Sequence, residues 1–134
     1  MAKIYSLKEG SKIPGEILRL AAKEGVRTAS VEGIGAVRRL KLAYYNPATK
    51  KYEEHRYAEN LEVTSLLGNI TTKDGAPFLH AHATLGRRDM SVIGGHLLSA
   101  EVHPLLEVVI TKTTNDAVRR FDEELGLNLI YKTS

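Results

Sequence analysis

The residues able to do chemistry are concentrated between Gly75 and His96. Two histidines, His80 and His82, stand two apart in Gly75-Ala-Pro-Phe-Leu-His-Ala-His-Ala-Thr-Leu85. In a strand, residues i and i+2 point to the same face. Phe78, His80, His82 and Thr84 therefore share one face, and the apolar set Leu79, Ala81, Ala83 and Leu85 is left to meet the core. A polar turn at Arg87-Arg88-Asp89 is expected to bring the chain back antiparallel, which sets His96 beside the pair. Three converging imidazoles suit a divalent metal ion. Zinc takes imidazole nitrogens at about 2.0–2.1 Å, and a site with three protein ligands keeps a fourth position open. Nickel, copper and iron also accept imidazole, so zinc is the expectation and not the sole candidate. Gly94 and Gly95 precede His96. Without a Cβ they permit a sharp bend or a close approach to neighbouring backbone. His55 falls on a polar strand and reads as exposed, and His103, beside Pro104, reads as structural.

An ion with an open position can activate water or polarise a substrate. A hydrolase or lyase acting on a small polar substrate would need a carboxylate as base. Glu62, Glu101 and Glu107 are the candidates, and spacing singles out none of them. Glu62, Asn69, Gly94, Gly95 and Glu107 are the positions expected to line a pocket around the ligands. A cupin-type oxygenase shares the His-x-His pair but wants a glutamate a few residues later, and Ala83-Thr84-Leu85-Gly86 offers none. A third reading is structural: the histidines, with or without metal, hold a subunit boundary.

The elements that must position these side chains fit into one domain, residues 1–134, long enough to bury a core of its own. The chain has no cysteine, which removes disulfides and thiolate ligands and agrees with a reducing cytoplasm. Met-Ala-Lys-Ile-Tyr-Ser at the start carries no apolar run of signal-peptide length, and no stretch approaches the roughly 18 apolar residues of a membrane span. A net charge of +3 is mildly basic. Lys and Arg are spread along the chain, but Arg38, Arg39, Lys50 and Lys51 flank one expected hairpin and are the candidates for a DNA-phosphate patch.

Residues 3–9 read as a short opening strand. Pro14, the spacing of Ile17, Leu18, Ala21 and Ala22, and Gly25 mark an amphipathic helix. Gly33-Ile34-Gly35 lacks the third glycine of a nucleotide loop and reads as a bend. Strands are expected over 38–45, 52–57 and 61–70, with Gly68-Asn69 a bulge or a close approach to another backbone. Asp74-Gly75 closes a hairpin into the histidine strand. Residues 98–101 continue the sheet, Pro104 marks an edge or a break, and 105–112 form a buried strand. Asn115 or Asp116 is expected to cap a short helix with Ala117, Val118, Phe121 and Leu125 as its apolar face. Gly126 ends it, and 127–131 is a last strand. The fold class is α+β: a mainly antiparallel sheet of five to seven strands, an amphipathic helix packed on it and a short C-terminal helix.

Gly33-Ile-Gly-Ala-Val37, Glu62-Val-Thr-Ser-Leu-Leu-Gly-Asn-Ile70, Gly75-Ala-Pro-Phe-Leu-His-Ala-His-Ala-Thr-Leu85 and Gly94-Gly-His-Leu97 together resemble the plant- and prokaryote-conserved domain, in order and over nearly the whole chain. The resemblance implies an α+β domain that assembles as a homotrimer. It implies a metal site, zinc by expectation, on His80, His82 and His96, and an association with DNA, and with the basic balance it favours a binding module over a metal-dependent enzyme. Small-molecule ligands are also compatible with it. Two departures stand out. The Arg-Gly-Arg-Pro arm with which plant relatives enter A·T-rich minor grooves is absent. Similar proteins often carry a threonine two residues before the glutamate at Glu107, where this chain has Leu105; if that threonine lines the family's pocket, the pocket here is drier or differently shaped.

Overall fold

Alternation of apolar and polar residues runs far beyond the usual five or six residues of a strand in two places, and these two strands frame the molecule. The computed structural model describes all residues, Met1 to Ser134. Its elements are β1 (Ala2–Lys8), β2 (Lys12–Ile13), α1 (Gly15–Lys23), β3 (Ala29–Asn46), β4 (Lys51–Tyr57), β5 (Leu61–Lys73), β6 (Ala76–Gly86), β7 (Val92–Lys112), β8 (Ala117–Asp122) and β9 (Leu127–Thr133). Strands β3 and β7, 18 and 21 residues long, each pair with several partners.

The ladder runs β3–β7–β6–β5, and β5 pairs back onto β3, so the sheet closes on itself. Closure turns one face inward. Val31, Val37, Leu61, Leu66, Ile70, Leu85, Val102, Leu106 and Val108 are almost wholly buried there. Strands β1 and β2 extend the sheet from β7, and β4 from β3. The ladders are antiparallel except for a short parallel one between β5 and β8. Nine strands replace the expected five to seven, because the two-residue β2 and the 117–122 segment, expected as a helix, also join the ladder.

The helix forms where its spacing predicts. Pro14 stands at its N-cap, Ile17 and Ala21 are buried one turn apart, and Gly25, at φ 67°, follows its end. Burying a side chain the size of Ile17 contributes about 1.5–3 kcal/mol. Gly33 and Gly35 flank a register shift in the β3–β5 ladder, the expected bend.

Two expectations are corrected. Pro104 does not break the strand: β7 runs continuously past it. It sits where the β3–β7 register jumps, with Leu106 opposite Gly35 but Val102 opposite Val37. No partner there needs the N–H that proline lacks. The short C-terminal helix is absent. Residues 117–122 are β8, hairpinned onto β9, and the apparent helical spacing spans a strand and a turn. Asp122 makes that turn, its backbone carbonyl accepting from the Gly126 N–H at 2.7 Å. No helix is long and apolar enough to cross a membrane.

Candidate metal centre

Strand β6 delivers His80 and His82 to the outer face while Ala81, Ala83 and Leu85 go into the core. The turn after Gly86 returns β7 antiparallel, with His96 directly opposite His82. One ring nitrogen from each of the three lies within 4.8 Å of the others. His80 Nε2 and His82 Nε2 are 3.3 Å apart. That is close to the edge of a tetrahedron whose metal–nitrogen bonds are about 2.05 Å, roughly 3.3 Å. His96 Nδ1 is buried without a hydrogen-bond partner, which buried polar atoms rarely are. Three imidazoles converging in this way are a donor set that fits a borderline divalent cation.

Backbone packing fixes the three rings relative to one another. A Cβ on Gly68 would run into the His80 carbonyl oxygen, so β5 presses directly on β6 behind that ring. A Cβ on Gly95 would come 3.0 Å from the Ala43 carbonyl, so β7 packs tightly, though less closely, on β3 just before His96.

Burial lowers the His80 pKa below the ordinary 6.5, helped by Arg119 and then by His82. Burial, with the neighbouring His80 and His82, takes His96 to about 4. Both rings are therefore neutral at pH 7, with lone pairs available to a metal.

Two hairpins flank the histidines. Tyr52, on β4, stacks at 4.8 Å between centroids on His96, and Tyr45 meets its edge at 5.6 Å. Burial raises the Tyr52 pKa, Tyr45 adds to the rise and Arg119 opposes it. On the other side β8 carries Arg119, which is buried. Its guanidinium donates to Thr71 Oγ1, the Asn128 carbonyl and Asn69 Oδ1. The Tyr45 hydroxyl donates to the Leu125 carbonyl at 2.5 Å and ties the two hairpins together. Sequence reading missed Tyr52 and Arg119. The available signal was period-two alternation over 117–122, which puts Ala117 and Arg119 on one face.

The model of the Plants and Prokaryotes Conserved domain matches residues 3–114. The chain belongs to this family. A metal-containing protein from Archaeoglobus fulgidus is 36% identical, covers 98% of this chain and 94% of its own, and superposes with a TM-score of 0.92. A plant- and prokaryote-conserved protein from Pyrococcus horikoshii is 32% identical over 98% of this chain and 92% of its own, with a TM-score of 0.91. A candidate DNA-binding protein from Bacteroides thetaiotaomicron is 33% identical over 96% of this chain and 90% of its own, also at 0.91. No curated protein matches the chain in sequence.

Within this conserved domain, the other sequence candidates scatter. Asn69 lies directly across from His80 and holds Arg119. Gly94 and Gly95 lie opposite Thr84 and Ala83, at the backbone leading into His96. The carboxylates fall elsewhere. Glu62 is opposite Gly86, at the far end of β5 from Asn69. Glu101 accepts from Arg38 at 2.6 Å and lies 3.7 Å from Arg39, and the Arg38 bond above all lowers its pKa. Glu107 faces Ile34 across the β3–β7 ladder. His55 is exposed, and His103 sits 2.6 Å from the Glu9 carboxylate. The expected basic patch does not form as one surface. Arg38 and Arg39 stand at the base of the β3–β4 hairpin and Lys50–Lys51 at its tip, roughly 20 Å away at about 3.3 Å per residue.

Proposed function

We propose that this chain is a homotrimeric metal-binding module in which His80, His82 and His96 hold one divalent ion, zinc, with the fourth position open. The observation that carries this is the convergence of three ring nitrogens within 4.8 Å, with no carboxylate among them. The metal-containing relative from Archaeoglobus fulgidus, at 36% identity, supports it. A zinc ion bound there would act as a Lewis acid or lower the pKa of a bound water towards 7. The chain's own residues would orient what binds: Tyr52 packs against His96 and narrows one side, and Arg119 presents charge on the other. A hydrolase or lyase would use the same open position. The distance of Glu62, Glu101 and Glu107 from the histidines favours the binding reading.

Assembly is supported by an apolar groove on the outer face. Ile4, Ile34 and Leu67 are 76%, 56% and 58% exposed, and line it with Glu107 and Val109. Leu67 lies directly across from His82, so a subunit seated there would border the metal site. The test is elemental analysis of the protein and of His80→Ala, each with its mass by light scattering. About one zinc per chain in a trimeric parent, and loss of zinc in the variant, is the expected result. A metal-free parent, or full zinc in the variant, contradicts the proposal.

DNA association is the second reading. The relative from Bacteroides thetaiotaomicron and the net charge of +3 favour it. It requires retardation of a duplex that falls steeply with salt. It also requires that Arg38→Ala with Arg39→Ala weaken that retardation. A duplex left unretarded at low salt removes this reading and leaves the metal site untouched.

A further inference from the structure

Arg119 is 7% exposed and meets no carboxylate within ion-pairing distance. Burying a guanidinium without a counter-charge is strongly unfavourable, so a fold that keeps one leaves it short of an anion. Three of its five N–H groups are used: Nε to Thr71, Nη1 to the Asn128 carbonyl and Nη2 to Asn69. One N–H remains on each terminal nitrogen. Each can donate to an oxygen of an anion, and the Phe78 ring at 5.5 Å helps hold the guanidinium in place.

The guanidinium is also beside the metal ligands. Asn69, which it grips at 2.9 Å, is the direct cross-strand neighbour of His80 and shares its face. Arg119 is the one cation other than a histidine whose charge is felt at His80. A single cation suits a carboxylate better than a doubly charged phosphate group.

We infer that Arg119 anchors a small carboxylate ligand whose other end reaches the open coordination position of the ion held by His80, His82 and His96. This rests on the metal reading above. The neutral partners Thr71, Asn128 and Asn69 aim the guanidinium without cancelling its charge. The ligand is small because one cross-strand neighbour separates guanidinium and imidazole.

The test uses the cobalt(II)-loaded protein, whose visible bands report on the open position. Malonate offers one carboxylate to the metal and one to Arg119, whereas acetate needs the metal alone. Arg119→Gln is expected to weaken malonate roughly tenfold or more while changing acetate by less than about threefold, in line with the loss of a charge-assisted hydrogen-bond pair. Malonate held as tightly by Arg119→Gln as by the parent overturns the inference. So does a parent that prefers acetate to malonate. Should the variant fail to fold or retain cobalt, a crystal of the cobalt-loaded parent soaked in malonate decides. A carboxylate oxygen about 2.7–3.2 Å from Arg119 Nη1 or Nη2 supports the inference, and malonate seated elsewhere overturns it. A parent that takes up no cobalt removes the metal reading and this inference with it. A parent that takes up cobalt but fails with malonate removes the inference alone.

Discussion

At the scale of single residues, the site follows from side-chain parity. Two histidines two apart on a strand must share a face, and Ala81, Ala83 and Leu85 decide which face. That much was legible, as was the return of His96, because a short polar turn between strands leaves few other places for it. Arg119 was not legible. Its burial depends on Thr71, Asn69 and Asn128, which come from three separate segments. The histidines also set a pH dependence. An unfolded chain protonates His96 near 6.5, whereas the folded chain resists until about 4. Between those values the unfolded state binds more protons, so stability is complete above about 6.5 and declines as the pH falls towards 4. His80 adds in the same direction. Because these rings are only half-buried, the loss is on the order of 1 kcal/mol once solvent screening is counted. Thermal melts of chelator-treated protein should show Tm falling from about pH 7 to about pH 4.5. A Tm that rises with acid would contradict the placement of His96.

At the scale of elements, close strand contact aims the rings. Gly68→Ala would put a methyl group against the His80 carbonyl and 2.7 Å from Ala81 Cβ. Overpacking of this kind costs about 1–3 kcal/mol, and the displaced β6 should bind zinc more weakly. Gly15→Ala is the control. It has open space at the start of α1 and should be neutral or stabilising by about 0.4–1 kcal/mol. Denaturant melts of the two variants check the contrast, and equal stabilities would contradict the packing argument. The same scale shows where sequence reading stopped. Ala117, Val118, Phe121 and Leu125 satisfy a helical period, yet β9 supplies a strand partner for 117–122 and a hydrogen-bonded turn takes 122–126. Local spacing carries no record of that partner. The amphipathic helix, by contrast, was readable because Pro14, Ile17, Ala21 and Gly25 all signal it within one short window.

At the scale of the whole molecule, closure of the sheet through β3 and β5 explains the buried interior and leaves the outer face for the histidines. This closure joins residues from Val37 with Leu61 to Ala29 with Ile70, well separated in sequence, which periodicity cannot reveal. The exposed Ile4, Ile34 and Leu67 make the outer face an assembly surface in the proposal. Leu67→Glu places a charge at its centre without touching the core and should convert a trimer to monomers by light scattering. A variant that keeps the parental trimer mass would move the interface elsewhere. The claim on which the rest depends is the metal on its three imidazoles. X-ray absorption at the zinc edge of the zinc-loaded protein tests it most directly. The account predicts three histidine nitrogens at about 2.0–2.1 Å and one further light ligand per zinc. A zinc without histidine ligation, or one whose spectrum His96→Ala leaves unchanged, would contradict it.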